Sequence, residues 1–167
     1  MKAVGVLVAI ALAIALQTTL ARVLVGGTAA IDLVLVAVVY VALITGPVTG
    51  MFAGSIAGVI QDSLSVGPIG IGGLAKCIVG FFVGAVGQQF IVTAALPRVV
   101  MFVVATVVHS AVFMGLYMAL NLPRTFPNPW AAVLSQALGN AVVGLVAFAI
   151  VESVPGMVER RRHRRRR

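Results

Sequence analysis

Apolar residues run almost unbroken along this chain, in stretches long enough to cross a bilayer, with short Gly, Pro or charge-marked breaks between them. The first stretch covers residues 3–20, and the second covers 30–45 with Asp32 near its entrance. Gly46-Pro47 breaks the pattern before a third stretch at 48–65, and Gly67-Pro68 breaks it again before a fourth at 69–93. Pro97-Arg98 marks a turn ahead of 99–120, and the Pro-rich segment NLPRTFPNPW at 121–130 precedes a last stretch at 131–151. In hydrocarbon only helices and closed barrels satisfy the backbone. Barrel strands alternate polar and apolar positions, whereas VGVLVAIALAIAL and AVVGLVAFAIV do not. The pattern predicts an all-α integral membrane protein, a bundle of about six transmembrane helices. The second and third stretches are the shortest, so two full crossings and one re-entrant hairpin both remain open.

Within the third stretch the pattern becomes specific. Gly46, Gly50, Gly54 and Gly58 recur at a strict four-residue step, and Asp62 takes the next step. That spacing places them on one helix face. The face has almost no side-chain bulk until it ends in a charge. Gly67 and Gly70 follow in the break, and the fourth stretch repeats the theme with Gly73, Gly80, Gly84 and Gly87. Small-residue faces let two membrane helices approach closely. The occupant of this face is either the fourth helix of the same bundle or a helix of another protein.

Composition agrees with the membrane reading: 61% of residues are hydrophobic and 10% charged, against about 45–50% and about 25% in soluble domains. The net charge of +8 belongs to the C-terminus. Arg160, Arg161, Arg162, Arg164, Arg165, Arg166 and Arg167 supply seven of the twelve Lys and Arg residues. A basic run directly after a membrane span points to anionic lipid headgroups rather than to nucleic acid. With six spans and both termini inside, Lys2, Arg98 and the seven tail arginines lie inside, against Arg22 and Arg124 outside. The positive-inside rule favours that arrangement. The expectation is a multi-pass membrane protein with both termini cytoplasmic. It has one transmembrane domain at 1–156 and a polybasic cytoplasmic tail at 157–167. Lys2 followed by an apolar run resembles a signal peptide, but Gln17-Thr18-Thr19 makes a poor cleavage site, so the first stretch reads as an uncleaved span.

Few residues offer chemistry. Asp62 near the end of the third span and Lys76 in the fourth face each other across a helical hairpin, a candidate intramembrane polar pair. Asp62 has three readings: a cap on the Gly67-Pro68 turn with Ser63 and Ser65, a contact for a partner helix, or a ligand or ion site. Asp32 suits the positive end of its helix and also qualifies as a functional intramembrane acid. His109, with Ser110 beside it, is either a structural histidine or a proton-relay group. Gln61, Gln88, Gln89, Gln136 and Asn140 are suited to hydrogen bonds between helices. No paired nucleophile and base, no phosphate loop and no Cys/His cluster occurs in the sequence, and Cys77 is a lone small residue. No catalytic residue, metal or cofactor is expected.

Residues 53–75, AGSIAGVIQDSLSVGPIGIGGLA, resemble the signature of MreD, the rod shape-determining membrane protein family of bacteria. The matching positions are Gly54, Gly58, Asp62, Ser65, Gly67 and Gly70. Chain length, five or six spans and short loops also fit, whereas the seven-arginine tail departs from the usual pattern. The resemblance implies a fold similar to the S-components of energy-coupling-factor transporters. It also implies a non-catalytic subunit of the cell-wall elongation (rod shape) complex, regulating cell shape by binding and positioning partner membrane proteins. The implied partners are an MreC-like single-span protein, MreB and the RodA/penicillin-binding protein synthase. The alternative reading is an S-component-like transporter subunit binding a small, vitamin-like solute. A small channel or proton-coupled carrier acting through Asp62 and His109 is a third.

Overall fold

A helix that is apolar on every side is stable either in lipid or inside a bundle. The segment LVLVAVVYVALIT is such a sequence, and in the computed structural model it is the largely buried shaft of the bundle. The structure describes residues 2–23, 31–65, 67–89, 95–123 and 128–164. These form six helices: α1 (Lys2–Val23), α2 (Leu33–Thr45), α3 (Pro47–Ser63), α4 (Ile71–Gln89), α5 (Ala95–Ala119) and α6 (Pro129–Arg164). The other five all pack against α2. Val34, Val38 and Val41 of α2 meet Ile10 of α1 and Ala53 and Ala57 of α3. Leu35, Val39 and Ala42 meet Val79 and Val83 of α4, Phe102 of α5 and Phe148 of α6.

Two antiparallel pairs are built around this shaft. In the first, α3 follows α2 after the single residue Gly46, whose φ of 95° is open to glycine and strained for other residues. Pro47 then starts α3, where a missing N–H is tolerated. Helices α3 and α4 touch backbone to backbone. A Cβ placed at Gly50 would lie 2.5 Å from the Gly80 carbonyl oxygen, and one at Gly58 would lie 2.5 Å from Gly73 Cα. At Gly54 it would collide with the Lys76 carbonyl, and at Gly84 it would lie 2.5 Å from Pro47 Cα. The glycine stripe is therefore filled by this chain's own α4 along its length.

In the second pair, Gly144 of α6 receives the Phe102 ring of α5. One turn further, the Arg98 guanidinium lies 4.4 Å above the Phe148 ring. The Phe148 ring also sits 4.6 Å from Tyr40 of α2. Pro97-Arg98, expected as a turn, instead lies in the first turn of α5. Proline is tolerated there because that N–H has no helical acceptor.

Helices α4, α5 and Pro129–Val151 of α6 are long and apolar enough to cross a membrane. The α1 segment Val4–Thr19 and α2 are shorter. With 13 residues, α2 is about 20 Å long at about 1.5 Å per residue, well under the hydrocarbon thickness of about 30 Å. Helix α6 continues past the expected end of the last span, through Pro155 to Arg164. The side chains of Arg160, Arg161, Arg162 and Arg164, and the whole of Arg165, Arg166 and Arg167, lie outside the described residues, as do the Arg22 side chain and Arg124.

Candidate functional site

The short α2 begins deep in the bundle, so its first backbone N–H groups need partners that water supplies elsewhere. Asp32 itself and side chains of α1 and α6 provide them. Asp32 caps α2, its Oδ1 accepting from Leu35 N at 2.9 Å. Leu33 N donates to Gln17 Oε1 of α1 at 2.8 Å, and Asp32 N donates to Asn140 Oδ1 of α6 at 2.8 Å. Asn140 Nδ2 then donates to Thr106 Oγ1 of α5 at 3.0 Å. Asn140 is fully buried, so its two bonds between helices settle both ends of its amide.

The fourth helix contributes a charge. Lys76 Nζ of α4 lies 2.9 Å from Asp32 Oδ2, with both side chains at least nine-tenths buried. It also lies 3.3 Å from His109 Nε2. An ammonium group only donates, so Nε2 accepts and the proton of a neutral ring sits on Nδ1. His109 is 7% exposed, and its Nδ1 has no hydrogen-bond partner among the described residues. Asp32, Lys76 and His109 thus form a buried polar cluster joining α2, α4 and α5.

This geometry corrects the expected Asp62–Lys76 pair: Lys76 is matched to Asp32, while Asp62 takes backbone donors. Asp62 Oδ2 accepts from Gly70 N at 2.9 Å and from Gly73 N at 3.1 Å. The reason lies at the start of α4, whose first N–H groups need an acceptor. Asp62, at the end of α3, lies directly over Gly72, one turn before Lys76. Its cap therefore extends past the Gly67-Pro68 turn to the next helix. Gly70 holds a φ of 105°, which turns its N–H toward that carboxylate at a conformation few other residues adopt. Ser63 and Ser65 bond instead to the carbonyls of Val59 and Gln61.

Of the predicted site residues, Gly46, Gly50, Gly54 and Gly58 line the α3–α4 seam, and Asp62 and Gly70 meet at its end. A Cβ at Gly67 would lie 3.2 Å from the Tyr117 hydroxyl. Asn140 bonds between helices, as its polarity in an apolar span suggests. Gln17 and Thr106 carry the same signal, polarity inside apolar helices, with no spacing to say what each meets.

Beside the cluster is a cavity of about 320 Å³. It opens where α2, α4 and α6 begin and where α3 and α5 end. Its lining mixes polar residues, among them Asp32, Lys76, His109, Gln61, Asp62 and Gln136, with Phe113, Met114 and Tyr117 of α5. The Phe113 ring stacks 5.9 Å from His109 and lies tilted 4.9 Å from Tyr117. Gln61 Oε1 is also buried without a hydrogen-bond partner among the described residues. No group of three or more His, Cys, Asp or Glu side chains among the described residues is placed to hold a metal ion.

These features define an all-helical membrane protein, sealed by a glycine seam and pinned by a buried ion pair. The family model for the rod shape-determining protein MreD matches residues 1–151, and the chain belongs to that family. Membership implies a role in rod shape determination and associates the chain with cell-wall elongation at the membrane. No curated protein and no solved structure matches the chain.

Proposed function

We propose that the chain is a non-catalytic subunit of the cell-wall elongation complex that positions partner membrane proteins. Its direct partner is an MreC-like single-span protein, through which it connects to MreB and the RodA/penicillin-binding protein synthase. It sits in the bacterial cytoplasmic membrane as a multi-pass protein with both termini inside, as the distribution of Lys and Arg favours. The observation that carries this reading is the family match, which reaches from α1 through the membrane part of α6.

The filled seam moves the partner's seat. Gly50, Gly54 and Gly58 already hold α4, so an incoming helix has to meet an outward surface. Opposite the glycines, Val48, Phe52, Ile56, Ile60 and Leu64 follow the same four-residue step, each at least 42% exposed. Such a ridge fits between the side-chain rows of another helix. Because α3 is locked to α4, the ridge is presented on a rigid support. The C-terminal arginines add an attraction to anionic lipid beside the complex.

The test is co-purification of the full chain with an MreC-like protein from a common membrane. Phe52→Ala and Ile56→Ala together are expected to reduce recovery at normal expression and normal thermal stability. Wild-type recovery from that variant overturns the α3 seat. Failure of the unaltered chain to associate overturns the partner-binding role.

A further inference from the structure

We propose that the cavity between α3, α5 and α6 is a binding site for a small uncharged molecule carrying both hydrogen-bond donors and acceptors. The site is separate from the helix-docking surface. Its size of about 320 Å³ lies within the range of about 300–1,000 Å³ typical of small-molecule pockets. Its lining mixes aromatic and polar side chains, so it suits a compact ring with an apolar face and a polar edge. Phe113, Met114 and Tyr117 would cover the face.

The polar lining is incomplete among the described residues. Lys76 has three N–H groups and spends them on Asp32 and His109, leaving one. His109 Nδ1 and Gln61 Oε1 are buried and unpartnered among the described residues. Unsatisfied buried polar atoms lower stability, and native structures keep few of them. Here they belong to residues lining one cavity, two offering a donor and one an acceptor. A ligand group such as an amide, with a carbonyl oxygen and an N–H, is complementary to that set.

Charge narrows the class further. Asp32 and Lys76 cancel formally and are already satisfied by each other. Asp62 is likewise engaged, its Oδ2 accepting from the Gly70 and Gly73 N–H groups. A charged ligand of either sign would therefore be desolvated in the cavity without a free counter-ion. An uncharged ligand avoids that cost.

Three probes of one shape and different charge test this: benzamidine, benzamide and benzoate, titrated into the full chain in lipid nanodiscs and followed by saturation-transfer NMR. Benzamide is expected to bind tightest, and an equal or reversed order overturns the proposal. Gln61→Leu removes one ligand hydrogen bond without touching the ion pair. It is expected to weaken benzamide about three- to tenfold. Ala132→Trp, at an exposed lining position, is expected to fill the space and abolish binding while the melting temperature holds. Unchanged benzamide affinity in both variants also overturns the site. Recovery of the MreC-like partner by these variants is expected to stay normal, so failure here and failure of the docking surface are distinguishable.

Discussion

Gly50→Ala probes the glycine seam most directly, because that position is closed from two sides. The added Cβ would lie 2.5 Å from the Gly80 carbonyl oxygen of α4 and 2.6 Å from Ala42 Cβ of α2. Ordinary contact begins at 3.4 Å, so α3 has to retreat by about 1 Å from both α4 and α2. A gap of about that size forfeits a quarter to a half of the dispersion energy at each pair of atoms it opens. Overpacking of this kind destabilises by about 1–3 kcal/mol. The intrinsic preference for Ala over Gly in a helix returns about 0.5–1 kcal/mol. The net expectation is a loss of about 1–2 kcal/mol. Gly5→Ala and Gly115→Ala are the controls, since a Cβ there meets nothing within 4 Å. They keep the propensity gain and are expected to be neutral or slightly stabilising. The assay is reversible unfolding of the purified protein in mixed micelles. If Gly50→Ala proves as stable as Gly115→Ala, the seam is looser than described and the argument fails. The same variants separate an internal seam from a partner-binding face. An internal seam loses stability in the isolated chain, whereas a face reserved for a partner loses only association.

Two further outcomes are expected. Lys76→Met leaves the Asp32 carboxylate buried without its ion pair, which costs about 3–5 kcal/mol. Asp32→Asn with Lys76→Met is expected to recover at least about half of that loss. A double variant as unstable as the sum of the singles, in the same unfolding assay, contradicts the coupling. The C-terminal arginines are expected to bind anionic vesicles in a salt-sensitive way. Flotation of the full chain and of a chain ending at residue 159 on phosphatidylglycerol vesicles at low and high salt decides this. Equal attraction of the two chains to the vesicle surface counts against it.

Local regularity was the part of this protein legible in its sequence. Helix class followed from apolar runs, and the four-residue step marked a close-packing face, whose occupant, α4 or another protein, the sequence left open. Both are properties of neighbouring elements. The ion pair was not legible in the same way. Asp32, Asp62 and Lys76 all belong to one end of the bundle, and chain proximity favoured Asp62 as the partner of Lys76. Backbone need decided otherwise: the start of α4 required an acceptor, and Asp62 was the acid directly above it. The central place of α2 was written in its all-round hydrophobicity, but shortness alone does not distinguish a buried shaft from a partial span. The union of Gln17, Asn140 and Thr106 around Asp32 depends on three helix crossings, and no spacing in the chain encodes it.

The ion pair also carries a timetable. Asp32 enters the membrane with α2, while Lys76 is synthesised about 44 residues later. At about 5–20 residues per second of synthesis, that interval is about 2–9 s. Asn140, 108 residues beyond Asp32, arrives about 5–22 s after it at the same rates. In the meantime the acid at the head of α2 lacks both partners, whereas α3 and α4 close their glycine seam as soon as both exist. The order of synthesis thus gives the hairpin time to close before α6 exists. The last helix then closes the end of the shaft, so the order of elements along the chain is also the order in which its buried polar groups are relieved.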